Sequence, residues 1–158
     1  MQVFIPYSSP LSCAEVLDAR RLNKQIIECG QILKAISGES SAWANHPCVL
    51  MYKKHKKWLD YYKKCLECYK SYKDLIGIDA DEAEHDLALA EEWSEKAEKI
   101  TPSFMTHTLC IQHRRRLYTK SPQMYPDFEI YGTSDQNWYC VNGEWLSYVN
   151  GKRLNKTE

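Results

Sequence analysis

The segment from Ser12 to Gly38, SCAEVLDARRLNKQIIECGQILKAISG, constrains the fold more than any other stretch of the chain. Ser12 is a good N-cap, and Glu15 three residues on completes a capping-box pattern. Gly38 supplies the usual stop. Leu22, Ile26, Cys29, Leu33 and Ile36 recur at spacings of three and four, the signature of one apolar helix face. The spacing predicts a single long helix across this segment.

The polar residues of that helix admit two readings. Asp18, Arg21, Gln25 and Glu28 are spaced three, four and three, which confines them to about 80° of arc bordering the apolar stripe. In one reading they form a solvated ladder of ion pairs. In the other, a carboxylate at the rim of the core is tuned by burial and a neighbouring arginine, as acid–base chemistry requires.

The 158 residues suit one domain with a real core. No apolar run approaches the length of a membrane span and no secretory apolar region is present, so a cytoplasmic protein with no membrane contact is expected. Seven cysteines, mostly inside apolar helical patterns, read as reduced thiols. Cys65-x-x-Cys68 has no second pair at metal-ligand spacing, so two packed helix cysteines are expected there, with neither metal nor cofactor.

The net charge of zero conceals a segregation. Residues 46–76 hold eight lysines against three acids, and residues 78–99 hold nine acids against two lysines. Arg114, Arg115, Arg116 and Lys120 follow with no acid among them. Such a split suits an anionic ligand on one side only, or two oppositely charged helix faces that pair with each other. The arginine triplet itself reads either as a solvated helix end or as a set of phosphate contacts.

Along the chain, MQVFIPYSSP reads as an extended, proline-punctuated lead-in. Asn45-His46-Pro47 opens a second helix, expected to run to about Leu75 and stop at Gly77. Trp58, Tyr62, Cys65, Tyr69 and Tyr72 place an aromatic stripe along it, which reads as core before it reads as a stacking platform. Residues 78–99 form an acidic insert, expected as a helix packed loosely on the outside. Ser103 to Lys120 reads as a third principal helix. Asn142-Gly143 and Asn150-Gly151 separate runs rich in Trp, Tyr and Val, which predicts a three-stranded meander. The expectation is a mainly α domain, bundle-like around three principal helices, with a small C-terminal β-hairpin or meander.

Three blocks together give the chain a family likeness: MQVF with LDARRLNKQIIECGQIL, then WANHPCVLMY, then FMTHTLCIQHRRRLYTKSPQMYPDF. They resemble the pyrimidine-dimer DNA glycosylase family, whose best-known type is the phage endonuclease V kind. The likeness covers about residues 1–130 and divides the chain into a glycosylase-like helical domain, with the insert at 78–99, and a C-terminal hairpin extension at 131–158. It implies an all-α fold and a DNA-repair N-glycosylase for damaged pyrimidines, coupled to an abasic-site lyase. In that chemistry an N-terminal α-amine attacks the sugar C1′, displaces the base as an imine forms, and β-elimination nicks the strand.

The essential helix carboxylate of the family falls on Glu28. The endonuclease V type exposes a threonine amine once its initiator methionine is removed. Here the bulky Gln2 normally blocks that removal, which leaves the amine of Met1 as the nucleophile. The resemblance also implies substrate binding by Asp18, Arg21, Lys24 and Gln25. Phosphate or base contacts fall to Asn45, His46, His107, His113 and Arg114. Damaged duplex DNA is the expected partner. Two other functions stay open: a glycosidic-bond enzyme acting on a nucleotide, RNA or modified base, and a non-catalytic module that binds a protein through the hairpin or the acidic segment.

Overall fold

The structure, a computed structural model, describes residues 1–154; the end of the expected hairpin extension, 155–158, lies outside the described residues. It is mainly α with a small C-terminal sheet, as the sequence predicts. Six α-helices appear: α1 (Pro10–Val16), α2 (Ala19–Ile36), α3 (Pro47–Tyr52), α4 (Lys56–Leu75), α5 (Ala80–Glu98) and α6 (His107–Lys120). A 3-10 helix, Pro126–Tyr131, precedes strands β1 (Asn137–Val141), β2 (Glu144–Val149) and β3 (Lys152–Arg153).

Two expected helices are each interrupted. The first breaks at Leu17, which turns extended, and Asp18 then caps α2 by accepting from the Arg21 backbone N–H. The cap of α1 is Ser9, which accepts from the backbone N–H of Ser12, so Ser12 is not the N-cap expected and Pro10 takes the first helical position. The second breaks at 53–55. In a continuous helix Tyr52 and Trp58 would point about 120° apart around the axis. The break lets their rings stack at 5.9 Å, with Trp58 stacked in turn on Tyr62 at 5.0 Å and Phe104 edge-on to Tyr52. That aromatic column is core, as the stripe pattern suggests.

The acidic segment packs more closely than expected. Ala83, Ala90 and Ala97, seven residues apart, are buried, and these small side chains let α5 lie along α4. Trp93 covers the seam, flanked by the Lys64 and Lys96 ammonium groups at 4.6 and 4.5 Å. Lysines of α4 pair within their own helix, Lys63 with Glu67 and Lys64 with Asp60. The third principal helix begins at His107 instead of Ser103, capped by Thr106. Both Asn-Gly turns form, with positive φ at Asn142, Gly143, Asn150 and Gly151, the backbone that type I′ turns need.

The N-terminal lead-in is extended but lies in the middle of the protein. Residues 2–6 are buried and have no strand beside them, so side chains satisfy their backbone. Gln25 Oε1 accepts from Phe4 N–H at 2.9 Å, and Gln25 Nε2 donates to Gln2 O at 2.9 Å. Tyr62 donates to Phe4 O at 2.6 Å and Tyr139 to Met1 O at 2.7 Å. Arg114 Nε donates to Pro6 O at 2.7 Å, and Ile5 N–H donates to His113 Nδ1 at 2.8 Å. An accepting Nδ1 leaves the neutral ring's proton on Nε2, 3.2 Å from the end of the Gln2 amide, which accepts it when turned to present its otherwise unpartnered Oε1.

Burial drives the His113 pKa down from the ordinary 6.5 to about 3, with the Arg116 charge adding to the effect. Between those two values the unfolded chain binds the proton and the folded one does not, so stability falls as pH drops through the window. The expected slope from this group reaches about 1.4 kcal/mol per pH unit. In His113→Asn, which keeps an acceptor for Ile5 N–H, this contribution disappears. The stability gap between the two proteins, measured by urea unfolding from pH 7 to pH 4, should therefore narrow towards acid; a constant gap would contradict this account of His113.

Candidate active site

Gln25 joins the buried N-terminal segment to the polar arc of α2. Its side-chain nitrogen, already donating to Gln2 O, also donates to Glu28 Oε2 at 3.1 Å. One planar amide therefore fixes the backbone next to Met1 and the carboxylate of Glu28 relative to each other. Gln25 is 2% exposed, so these bonds have no competition from water.

The residues so fixed line a cleft of about 240 Å³. Met1, Gln2 and Phe4 form one wall, Arg20, Arg21, Lys24, Gln25 and Glu28 of α2 another, and Arg116 and Lys120 of α6 with Asn137 of β1 the third. Glu28 is the one carboxylate among these lining residues, against five cations. Burial, with the neighbouring Arg116, Lys24 and Arg21 charges, holds the Lys120 pKa below its usual value. A site of this composition stabilises negative charge along its walls and offers a single carboxylate as acid or base.

Residues 1–68 match the family model described as pyrimidine dimer DNA glycosylase. The match supports a DNA glycosylase function in general terms, with DNA as the substrate class. It ends inside α4, so the glycosylase-like part supplies the N-terminal segment and α2, while Arg116, Lys120 and Asn137 come from beyond it. No curated protein and no solved structure matches the chain.

The cleft gathers five residues that the sequence singles out: Met1, Arg21, Lys24, Gln25 and Glu28. The other six lie elsewhere. Asp18 caps α2, pairs with Arg21 at 3.1 Å and accepts a short hydrogen bond from Tyr125. These partners outweigh its burial and lower its carboxyl pKa, which fits a structural anchor. His46 caps α3 through Nδ1, its ring edge-on to Tyr139 and Trp43. Burial, then the positive N-terminus, lowers its pKa, so the α-amine lies within electrostatic reach of this ring. Asn45 is exposed on the loop before it, and His107 is exposed at the start of α6; neither lines the cleft.

His113 and Arg114 need a larger correction, because both are internal. Arg114 donates to Pro6 O and to the Tyr131 hydroxyl, and its guanidinium lies 4.5 and 5.0 Å from the Tyr7 and Tyr131 ring centroids. With those bonds made, it is a scaffold residue and does not reach towards a phosphate. The arginine of the α6 triplet that faces the cleft is Arg116, whose Nε donates to Asn137 Oδ1 and Nη1 to Ser134 O. A signal for it was available: Arg116 and Lys120 are four apart on α6, as Arg20 and Lys24 are on α2. Asn137 carried no signal, since only the docking of β1 brings it there.

These placements separate two arginines two residues apart. Arg114→Ala strands Pro6 O and removes the cation from between two rings, so it should cost about 2–4 kcal/mol of stability. Arg116→Ala should leave the melting temperature closer to wild type and lower the salt dependence of DNA binding by about one unit of slope. Thermal melts and binding isotherms at several salt concentrations check both, and a stable Arg114→Ala protein with a reduced salt slope would reverse the assignment.

Proposed function

We propose that this chain is a DNA N-glycosylase for damaged pyrimidines, with a coupled abasic-site lyase step. The observation that carries the reading is the shared cleft: the chain's first residue and Glu28 line one cationic pocket, tied together through Gln25. Five cations around one carboxylate suit a phosphodiester backbone drawn in on both sides of a reacting sugar. Arg20, Arg21, Lys24, Arg116 and Lys120 take that backbone role, and Asn137 offers an amide to a sugar or base edge.

In the proposed reaction the neutral α-amine of Met1 attacks C1′. The glycosidic C1′–N bond breaks and the base leaves with its electron pair, taking a proton. Opening of the sugar ring gives an imine between C1′ and the amine nitrogen. Glu28 then removes a C2′ proton and the 3′ phosphate leaves, which completes β-elimination; water hydrolyses the imine and frees the enzyme. A helix carboxylate held by a buried amide is suited to these proton transfers because it stays in place without a solvent partner. The duplex must be distorted to expose C1′, and the cationic walls offset that cost.

Two experiments test this. Borohydride added during reaction with dimer-containing duplex should leave a covalent adduct that peptide mapping places on the N-terminal residue; an adduct on Lys24, or base release with no adduct, excludes the amine mechanism. Glu28→Gln keeps shape and hydrogen bonding but removes the base, so turnover should fall by about 10²–10⁴-fold with DNA affinity nearly retained. Wild-type turnover in Glu28→Gln would remove Glu28 from the mechanism.

A further inference from the structure

Behind the cleft lies a second, larger depression. Two cavities of about 630 and 590 Å³ adjoin each other, sharing Thr106 and Trp145 in their linings. The first is bounded by the α3–α4 break with Lys53, Lys54 and His55, by Phe104, and by the β1–β2 turn. The second is bounded by Arg115 and Trp138. Among the described residues no Asp or Glu lines either cavity, although the chain as a whole carries 21 acids against 21 lysines and arginines.

Neighbouring residues of α6 and β1 line the cleft and the groove and form the ridge between them. Arg116 lines the cleft and Arg115 the groove; Asn137 lines the cleft and Trp138 the groove. The ridge is held by the 3.0 Å bond from Arg116 to Asn137. Successive residues of a strand point to opposite sheet faces, and β1 uses that alternation. Tyr139 turns inward to hold Met1 O, while Cys140 lines the groove opposite its register partner Trp145. Trp145 is 39% exposed between the two cavities. A large aromatic ring left in solvent, lysines and an arginine to either side, and no acid among the lining residues give a surface with faces for bases and charges for phosphates.

We propose that this groove binds single-stranded nucleic acid, with a base stacked on Trp145 and the backbone held by Lys53, Lys54 and Arg115. The proposal rests on the glycosylase reading only for the identity of the strand, which is then the DNA running from the cleft over the ridge. An unpaired segment next to the lesion is thereby engaged as the lesion enters the cleft, and the enzyme works best on damage close to a single-stranded arm. Duplex DNA presents no free base faces to Trp145 and gains nothing from it. Lys53, Lys54 and His55 of the groove lie within the family match, while Arg115, Trp138 and Trp145 come from beyond it.

The test uses the full chain and a fluorescent thymidine oligonucleotide. Trp145→Ala should weaken binding about 10-fold, with Trp145→Phe restoring most of it. Because β2 carries Trp145, the loop double variant Lys53→Ser/Lys54→Ser gives an independent measurement: it should lower the salt slope by about 1.4, the value for two single-strand phosphates, at unchanged melting temperature. With lesion substrates, a single-stranded arm should lower the wild-type KM about 10-fold against fully paired duplex, and that advantage should vanish in both variants. Oligonucleotide binding indifferent to all these changes overturns the groove. If no lesion DNA is processed by wild type while oligonucleotide binding still depends on Trp145 and the lysines, the glycosylase reading fails and the groove stands.

Discussion

The structure depends on the side-chain amide of Gln25, which acts where a neighbouring strand would otherwise act. An extended segment inside a helical protein has backbone donors and acceptors with no ladder to join, and each one left bare costs about 1–3 kcal/mol. Gln25 supplies a donor to Gln2 O and an acceptor to Phe4 N–H, as a β partner would. Tyr62, Tyr139, His113 and Arg114 complete the work from four other places in the chain. Because the same amide also bonds Glu28, the device that makes the segment buriable is the device that sets the geometry of the cleft. Stability and function are coupled at one residue.

Electrostatics follow from where the helices put their ends. A net charge of zero says nothing about nucleic-acid binding once the acids are collected on α5 and the cleft and groove are left with cations. Sequestering carboxylates on a helix that packs through alanines keeps the basic side free of internal neutralisation. It also limits the total field, so attraction to a polyanion is local to the cleft and groove and not spread over the surface.

Much of this was legible in the sequence, and the failures have specific causes. Helix periodicity, the aromatic stripe and both Asn-Gly turns describe local physics and appear in the structure. The interruptions at Leu17 and at 53–55 are tertiary: Tyr125 holds Asp18 in place as a new cap, and ring stacking between Tyr52 and Trp58 needs a bend. Spacing on α2 pointed to Asp18, Arg21, Gln25 and Glu28, the last three of which line the cleft, because one helix face is a one-dimensional property. The family likeness pointed to Arg114 and not to Arg116, since either can face outwards until the N-terminal segment claims one of them. Asn137 and the groove depend on how the hairpin docks, which no local pattern encodes.

The inward course of residues 1–6 has a consequence for how the protein is made. Residues 1–6 are fastened by residues made long after them, with Tyr139 reaching Met1 across 138 positions and His113 reaching Ile5 across 108. Contacts of such long sequence separation close slowly, since loop entropy is lost before they return anything. A nascent chain can pair residues 2–4 with Gln25 and Tyr62 early, yet Ile5 and Pro6 wait for α6, and Met1 O waits for β1. The cleft is therefore completed by β1, and a polypeptide cut short before it carries every residue of α2 without Asn137 or the Tyr139 bond to Met1 O.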